Sequence, residues 1–269
     1  MEQRPNQSSD VQVAEALGKL REIQETFSTT PTRDLPFCTA VSHVHDYEHD
    51  LPHLRRYGDQ VITARCYHFA MLSAIKAYWN IQMYFDGVNS GNALALPAAA
   101  RAQIELFALL WHVNDVVSTN AGLAGPDLAK RMLIVDEALI MALYGTRSED
   151  LTGLYQQIDL SRLRPNTDRD MEVFKAKNIL TRIQKTHSGS DYKTCLQDYD
   201  RLSELLHPNS PQNLIFLMAS PQGENWFRLG LRDPQHVRRA QYQSAHAMVN
   251  SSWEILRLSS SFPEPFANP

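Results

Sequence analysis

From Gly58 to Phe85 the chain reads GDQVITARCYHFAMLSAIKAYWNIQMYF. After the opening Gly-Asp pair, the run is apolar around much of a helical circumference. That predicts a long helix from about Val61 to Phe85, near the middle of a bundle. On its N-terminal side, SSDVQVAEALGKLREIQETF starts at a Ser/Asp cap and repeats Val13, Leu17, Leu20, Ile23 and Phe27 at helical spacing. Between the two, residues 30–56 carry Pro31, Pro36 and Pro52 and are expected to be irregular. On the C-terminal side, a helix should begin near Pro97, because proline is favoured in a first turn. Another should follow Pro126 and stop before Gly145. Residues 146–167 are polar and read as a second irregular excursion. Helices resume with DRDMEVFKAKNILTRIQKTH and SDYKTCLQDYDRLSELLH, and the last is DPQHVRRAQYQSAHAMVNSSWEILRLSS. NLIFLMAS (Asn213–Ser220) reads equally as a strand or a short helix, and no long alternating run or fixed-period repeat is present. The expected fold is all-α, a single-domain antiparallel helical bundle over 1–269.

The totals narrow the function classes. With 43% hydrophobic and 21% charged residues, the composition is that of a globular protein with ample chain for a core. A net charge of -4 advertises no global field for nucleic acid. Cys38, Cys66 and Cys195 are far apart and form no CxxC pair, which suits a reducing compartment. The first twenty residues hold no apolar core of signal-peptide type. No run is long and apolar enough to span a membrane, FALLWHVNDVV being interrupted by His112, Asn114 and Asp115. A cytoplasmic protein without a membrane anchor is the expectation.

Two helices place polar groups where apolar ones are expected. In RAQIELFALLWHVND, Arg101, Glu105, Ala108, His112 and Asp115 share a stripe within about a quarter of the circumference at about 100° per residue. It is flanked by Leu106, Leu109, Leu110 and Val113. The stripe is either a solvated face with an Arg101–Glu105 i,i+4 pair or a buried set that must be fully hydrogen-bonded. In DYKTCLQDYDRLSELLH, Tyr192, Cys195, Tyr199, Leu202, Ser203 and Leu206 make one face. Lys193, Gln197, Asp200, Arg201 and Glu204 make the opposite one. Ser203 lies on the apolar side, where its hydroxyl can bond the Tyr199 carbonyl. His207 stands at the edge of that face, before Pro208, where a histidine complements the helix end.

In its R-x3-E helix (Arg101, Glu105) and its later Y-x2-L-S-x3-H helix (Tyr199, Leu202, Ser203, His207, then Pro208), the chain resembles a group of uncharacterised bacterial all-helical proteins. The resemblance covers about the central half of the chain. It implies that the two helices face each other and share one buried polar network, and it supplies no reaction. RLSELLH also resembles the R-x4-6-H motif of HEPN-type ribonucleases, through Arg201 and His207. There the resemblance implies a dimer in which arginine stabilises phosphate charge and histidine moves a proton. Two departures stand against it. Leu202 occupies a position that is usually polar, and Arg201 and His207 lie about 120° apart on a regular helix.

Other chemistry finds less support. Glu204 and His207 form one E-x-x-H, but a di-iron bundle needs two. HVHDYEHDLPH brings His43, His45, His49 and His53 together with Asp46, Glu48 and Asp50; it reads as a polar loop, with zinc or nickel binding as the sharper alternative. NDVVSTNAG begins like a terpene-cyclase magnesium motif, but Gly122 replaces the closing acid, so Asn114 and Asp115 read as helix-end residues. No G-x-S-x-G, Walker A, G-x-G-x-x-G or H-E-x-x-H motif occurs, and only 11 glycines are available for phosphate loops.

The sequence therefore predicts an interaction or ligand-sensing protein, with stress or defence as its setting by analogy. Its site is a buried network of Arg101, Glu105, His112, Tyr199, Ser203 and His207. No metal or cofactor is expected. The partner is a small molecule or protein, with a homodimer in view. The alternative is a dimeric metal-independent ribonuclease using Arg201 and His207, the one reading that brings in RNA.

Overall fold

The computed structural model describes residues 7–29, 51–122, 127–144, 179–207, 218–220, 223–228 and 234–262. Eight α-helices cover most of them: α1 (Gln7–Ser28), α2 (Leu51–Tyr57), α3 (Thr63–Ser90), α4 (Ala95–Thr119), α5 (Leu128–Tyr144), α6 (Ile179–Gly189), α7 (Cys195–Leu206) and α8 (Pro234–Ser260). A π-helical turn, Gly58–Ile62, joins α2 to α3. The chain forms the all-α helical bundle expected from its sequence, with one addition. A short antiparallel hairpin pairs β1 (Met218–Ser220) with β2 (Gly223–Arg228). β1 falls in the ambiguous NLIFLMAS run; GENWFR was too short and too mixed to signal β2.

The expected irregular stretch 30–56 gives way to helix at Leu51, with Pro52 in the first turn of α2, where its missing N–H costs nothing. The rest of that stretch, and all of 146–167, lie outside the described residues. Asn114 and Asp115 are not at a helix end, since α4 continues to Thr119.

The chain divides into two compact units. The first holds α1, α3 from Ala74, α4 up to Ala108, α6, α7, the hairpin and α8 as far as Arg257. Its helices bury arcs at 3.6 spacing: Leu20, Ile23 and Phe27 on α1, Ala74, Ala77, Ile81 and Tyr84 on α3, and Met248, Ser251, Ser252 and Ile255 on α8. Polar bonds cross-link these arcs. Asn80 donates to Gln103 at 2.9 Å, and Gln103 donates to Ser252 at 2.9 Å, which ties α3, α4 and α8 together. Tyr84 and Ser244 pair at 3.1 Å. α3 ends in a Schellman turn: Asn92 N–H donates to Gly87 O, Gly91 N–H donates to Val88 O, and Gly91 takes φ +74. Gly87 is required for a second reason. A Cβ there would stand 2.8 Å from both Ala95 Cβ and Leu96 Cδ1, so α3 and α4 close on each other only because it has none.

One expectation for α3 fails. Its apolar circumference predicted burial on most sides, yet Ile75, Trp79 and Met83 are exposed. The buried arc is satisfied by small residues and two large ones on the opposite side, so the outward apolar residues have nothing to cover.

The second unit holds α2, the π turn, α3 up to Ser73, the end of α4 and α5. Its polar centre is a buried trio. The Arg65 guanidinium donates to Asp136 and to the Tyr57 hydroxyl, which itself donates to Asp136 at 2.9 Å. All three are buried. Burial first, and the Asp136 charge second, hold the Tyr57 phenol far above its ordinary range. Removing one member of a buried pair leaves an uncompensated charge. Asp136→Ala should therefore cost about 3–5 kcal/mol. Tyr57→Phe, which leaves the ion pair intact, should cost about 1–2 kcal/mol. Urea denaturation of the three proteins would read the difference, and equal losses would refute the ranking.

Candidate functional site

α7 is the element on which the candidate site is built. Most of the expected inward face is buried: Cys195, Tyr199 and Leu202 on the helix and Tyr192 just before it. Ser203 and Leu206 are half-buried, and Leu205 is buried in place of Leu206. Ser203 donates to the Tyr199 carbonyl at 2.7 Å, which satisfies its hydroxyl within the helix.

Arg101, Glu105 and Tyr199 are brought together. Arg101 Nε donates to Glu105 Oε1 at 3.0 Å, and its Nη2 donates to the Tyr199 hydroxyl at 3.1 Å. That hydroxyl reaches Glu105 Oε1 at 3.3 Å, and the guanidinium lies 5.1 Å from the Tyr199 ring centre. This triangle joins α4 to α7, but it is not the buried network predicted. The Arg101 and Glu105 side chains keep 32% and 35% of their surface, because the fully buried arc of α4 is the neighbouring one with Gln103, Ile104 and Phe107. His112 is buried in the second unit. His207 is exposed at the end of α7, its backbone N–H donating to the Ser203 and Glu204 carbonyls. Of the histidine-rich stretch only His53 is described.

The buried polar centre of α7 is a residue the sequence reading passed over. Asp198 Oδ2 accepts from the Tyr192 hydroxyl and from Thr194 Oγ1, each at 2.8 Å. Its Oδ1 pairs with Arg201 Nη2 at 2.6 Å. Arg201, expected on the outward face, keeps 38% of its side-chain surface, and its Nη2 is engaged by Asp198. Burial first, then the Asp198 charge, push the Cys195 thiol up to about 12. The same causes, joined by the hydrogen bond, hold the Tyr192 phenol well above its ordinary range.

These bonds fix the α6–α7 loop. Ser190 N–H donates to Thr186 O at 2.8 Å, Lys193 Nζ to Ser190 O at 2.7 Å, and the Tyr192 ring lies 6.1 Å from that of Phe107. The braced loop forms one wall of an open groove of about 750 Å3, with α1 and α8 as the others. α1 contributes Lys19, Glu22 and Ile23; the loop contributes Asp191 and Tyr192; α8 contributes Asn250, Trp253 and Glu254. Trp253 keeps 56% of its surface exposed. Glu254 is buried and takes both bonds from Arg257, 2.7 and 3.2 Å long, on Oε2 alone. Its Oε1 has no donor among the described residues.

The sequence held one sign of this groove. Trp253 lies about 140° around α8 from Met248, so it is an indole on the far side of the buried arc. The groove's walls come from three separate segments, 19–26, 191–194 and 249–256, and no local pattern links them. No family model, no curated protein and no solved structure matches the chain.

The two polar centres should differ in weight. The Arg101–Glu105 pair is partly solvated, so Arg101→Ala should cost about 1 kcal/mol or less. Asp198→Ala strands a buried phenol and a guanidinium and should cost about 2–3 kcal/mol. Denaturant midpoints would reverse the assignment if Arg101→Ala proved the more damaging. A pH dependence follows as well. Cys195 and Tyr192 bind their protons more tightly folded than unfolded. Their contribution is therefore fully present below the ordinary thiol value near 9 and is lost as pH rises toward 12. Denaturation midpoints between pH 8 and 11 should fall, and less steeply in Cys195→Ala.

Proposed function

We propose that the protein is a ligand-sensing protein whose site is the groove between α1, α8 and the α6–α7 loop. The observation that carries this reading is Trp253, a half-exposed indole lining a concavity of about 750 Å3. That volume is within the range of small-molecule sites, about 300–1,000 Å3. The loop wall is held by Asp198 before any ligand arrives, so little ordering cost remains to be met on binding.

The groove's chemistry selects the ligand. An indole face attracts planar and cationic groups. Glu254 offers an oxygen that Arg257 does not use, and Glu22 and Asp191 stand at opposite walls. Lys193 is turned to the Ser190 carbonyl, which leaves Lys19 as the cation facing them. The ligand is accordingly a planar organic molecule with an ammonium or another hydrogen-bond-donating group. The ribonuclease alternative would draw on an Arg201 whose Nη2 already pairs with Asp198, and Arg201 does not line the groove.

A planar fluorescent cation such as acridine orange should titrate the protein to saturation near one per chain. The anionic dye anilinonaphthalene sulfonate should bind at least about tenfold more weakly, a difference of about 1.4 kcal/mol. Asn250→Trp, which fills the groove from an exposed position, should abolish cation binding, and Trp253→Ala should weaken it. Unchanged titrations in both variants would place the site elsewhere.

A further inference from the structure

α3 carries an apolar stripe that its own unit leaves uncovered. Ile75, Trp79 and Met83 are spaced i, i+4, i+8 and keep 50%, 62% and 39% of their surface. Trp79 points about 180° away from the buried arc of Ala74, Ala77, Ile81 and Tyr84. Scattered exposed apolar residues are normal, whereas a contiguous row of large ones marks a contact surface. Beside the row is a shallow depression of about 300 Å3, edged by Trp79, Met83, Asp86, Gly87 and Ser90.

We infer that this stripe is the interface of a twofold homodimer in which α3 packs antiparallel on α3 of a second copy, each Trp79 entering the depression beside Met83 and Gly87 of the other. Three features select a second copy as the occupant. First, the surface holds both a knob and its hole, which is what an isologous interface needs. The indole protrudes, and the depression lies one to two turns further along the same helix. Second, the row follows an i, i+4 ridge, the kind that interdigitates with its like between helices. Third, the charges at its ends are opposite. Lys76 stands at the N-terminal end and makes no ion pair among the described residues. Asp86 stands at the C-terminal end, hydrogen-bonded to the neutral Gln82 at 2.9 Å. Placing residue 79 against 83 puts the twofold near 81, and the same register sets Lys76 opposite Asp86. A parallel pairing would set like charges together and miss the depression.

The register makes the test specific. Sedimentation equilibrium of the full chain from about 1 to 200 μM should give a monomer–dimer transition. Trp79→Lys should raise the dimer dissociation constant at least about thirtyfold, as for a central anchor. Because Trp79 is exposed, the melting curve of that variant at low micromolar concentration should match wild type. Lys76→Asp and Asp86→Lys should each weaken association by about tenfold or less, and the double exchange should restore it. Restoration supports the antiparallel register, and its absence overturns it. A chain that stays monomeric at every concentration overturns the dimer. So does a dimer that survives Trp79→Lys, since its interface would then lie elsewhere.

Discussion

A carboxylate taken out of water must be given donors, and Asp198 is given three: a phenol, a hydroxyl and a guanidinium. The rest of the candidate site depends on that requirement. The donors sit at 192, 194 and 201, so satisfying one buried charge fixes both the loop before α7 and the first two turns of α7. A loop of this kind would otherwise be the least constrained part of a helical unit. Here it is a preformed wall, with Tyr192 held from two directions by Asp198 and by the ring of Phe107. The thiol of Cys195 shares the same dry environment and is kept protonated by it.

The same physics recurs elsewhere with different chemistry. In the second unit Arg65, Asp136 and Tyr57 form a closed trio, again with a phenol completing an ion pair. In the first unit the Asn80–Gln103–Ser252 chain does the work with neutral groups, which carry a smaller desolvation cost. The Arg101–Glu105–Tyr199 triangle has the look of these centres but not their weight. A third of its ionic surface remains in water, and screening reduces such a pair to a fraction of what a buried one contributes. It orients α7 against α4 rather than anchoring it.

These differences explain what the sequence could and could not disclose. Helices α1, α3, α4 and α8 were legible because apolar residues recur at 3.6 spacing over many turns. The inward face of α7 was legible for the same reason, down to the hydroxyl of Ser203. Asp198 was not, because a carboxylate on the border of an apolar face normally points outward. Only its tertiary donors, one of them in a loop, reverse that preference. The Arg101 pair was overvalued because a helical wheel gives the angle of a residue but not the depth of its neighbours. The α3 stripe was misjudged in the opposite direction. An apolar run around much of a helix predicts a central position, but the residues outside the packed arc are buried only where enough chain exists to cover them.

Trp253 and Trp79 make the last distinction. Both indoles stand on the far side of their helix from the buried arc, and both keep more than half their surface. Their surroundings separate them. Trp253 stands in a concavity with a partly satisfied carboxylate and further acids, a setting in which a small polar ligand can replace every contact water makes. Trp79 stands on a ridge between two other large apolar side chains, beside a shallow depression of about 300 Å3 edged also by Gln82, Asp86, Ser90 and Asn92. A small molecule on that ridge would leave most of the row wet. A surface of similar length with its own protruding ring, as in the proposed dimer, would cover it. Exposure alone therefore does not assign a role to an aromatic residue. The curvature and the chemistry around it distinguish the two, which is why a small polar ligand is proposed for one and a second copy of the chain for the other.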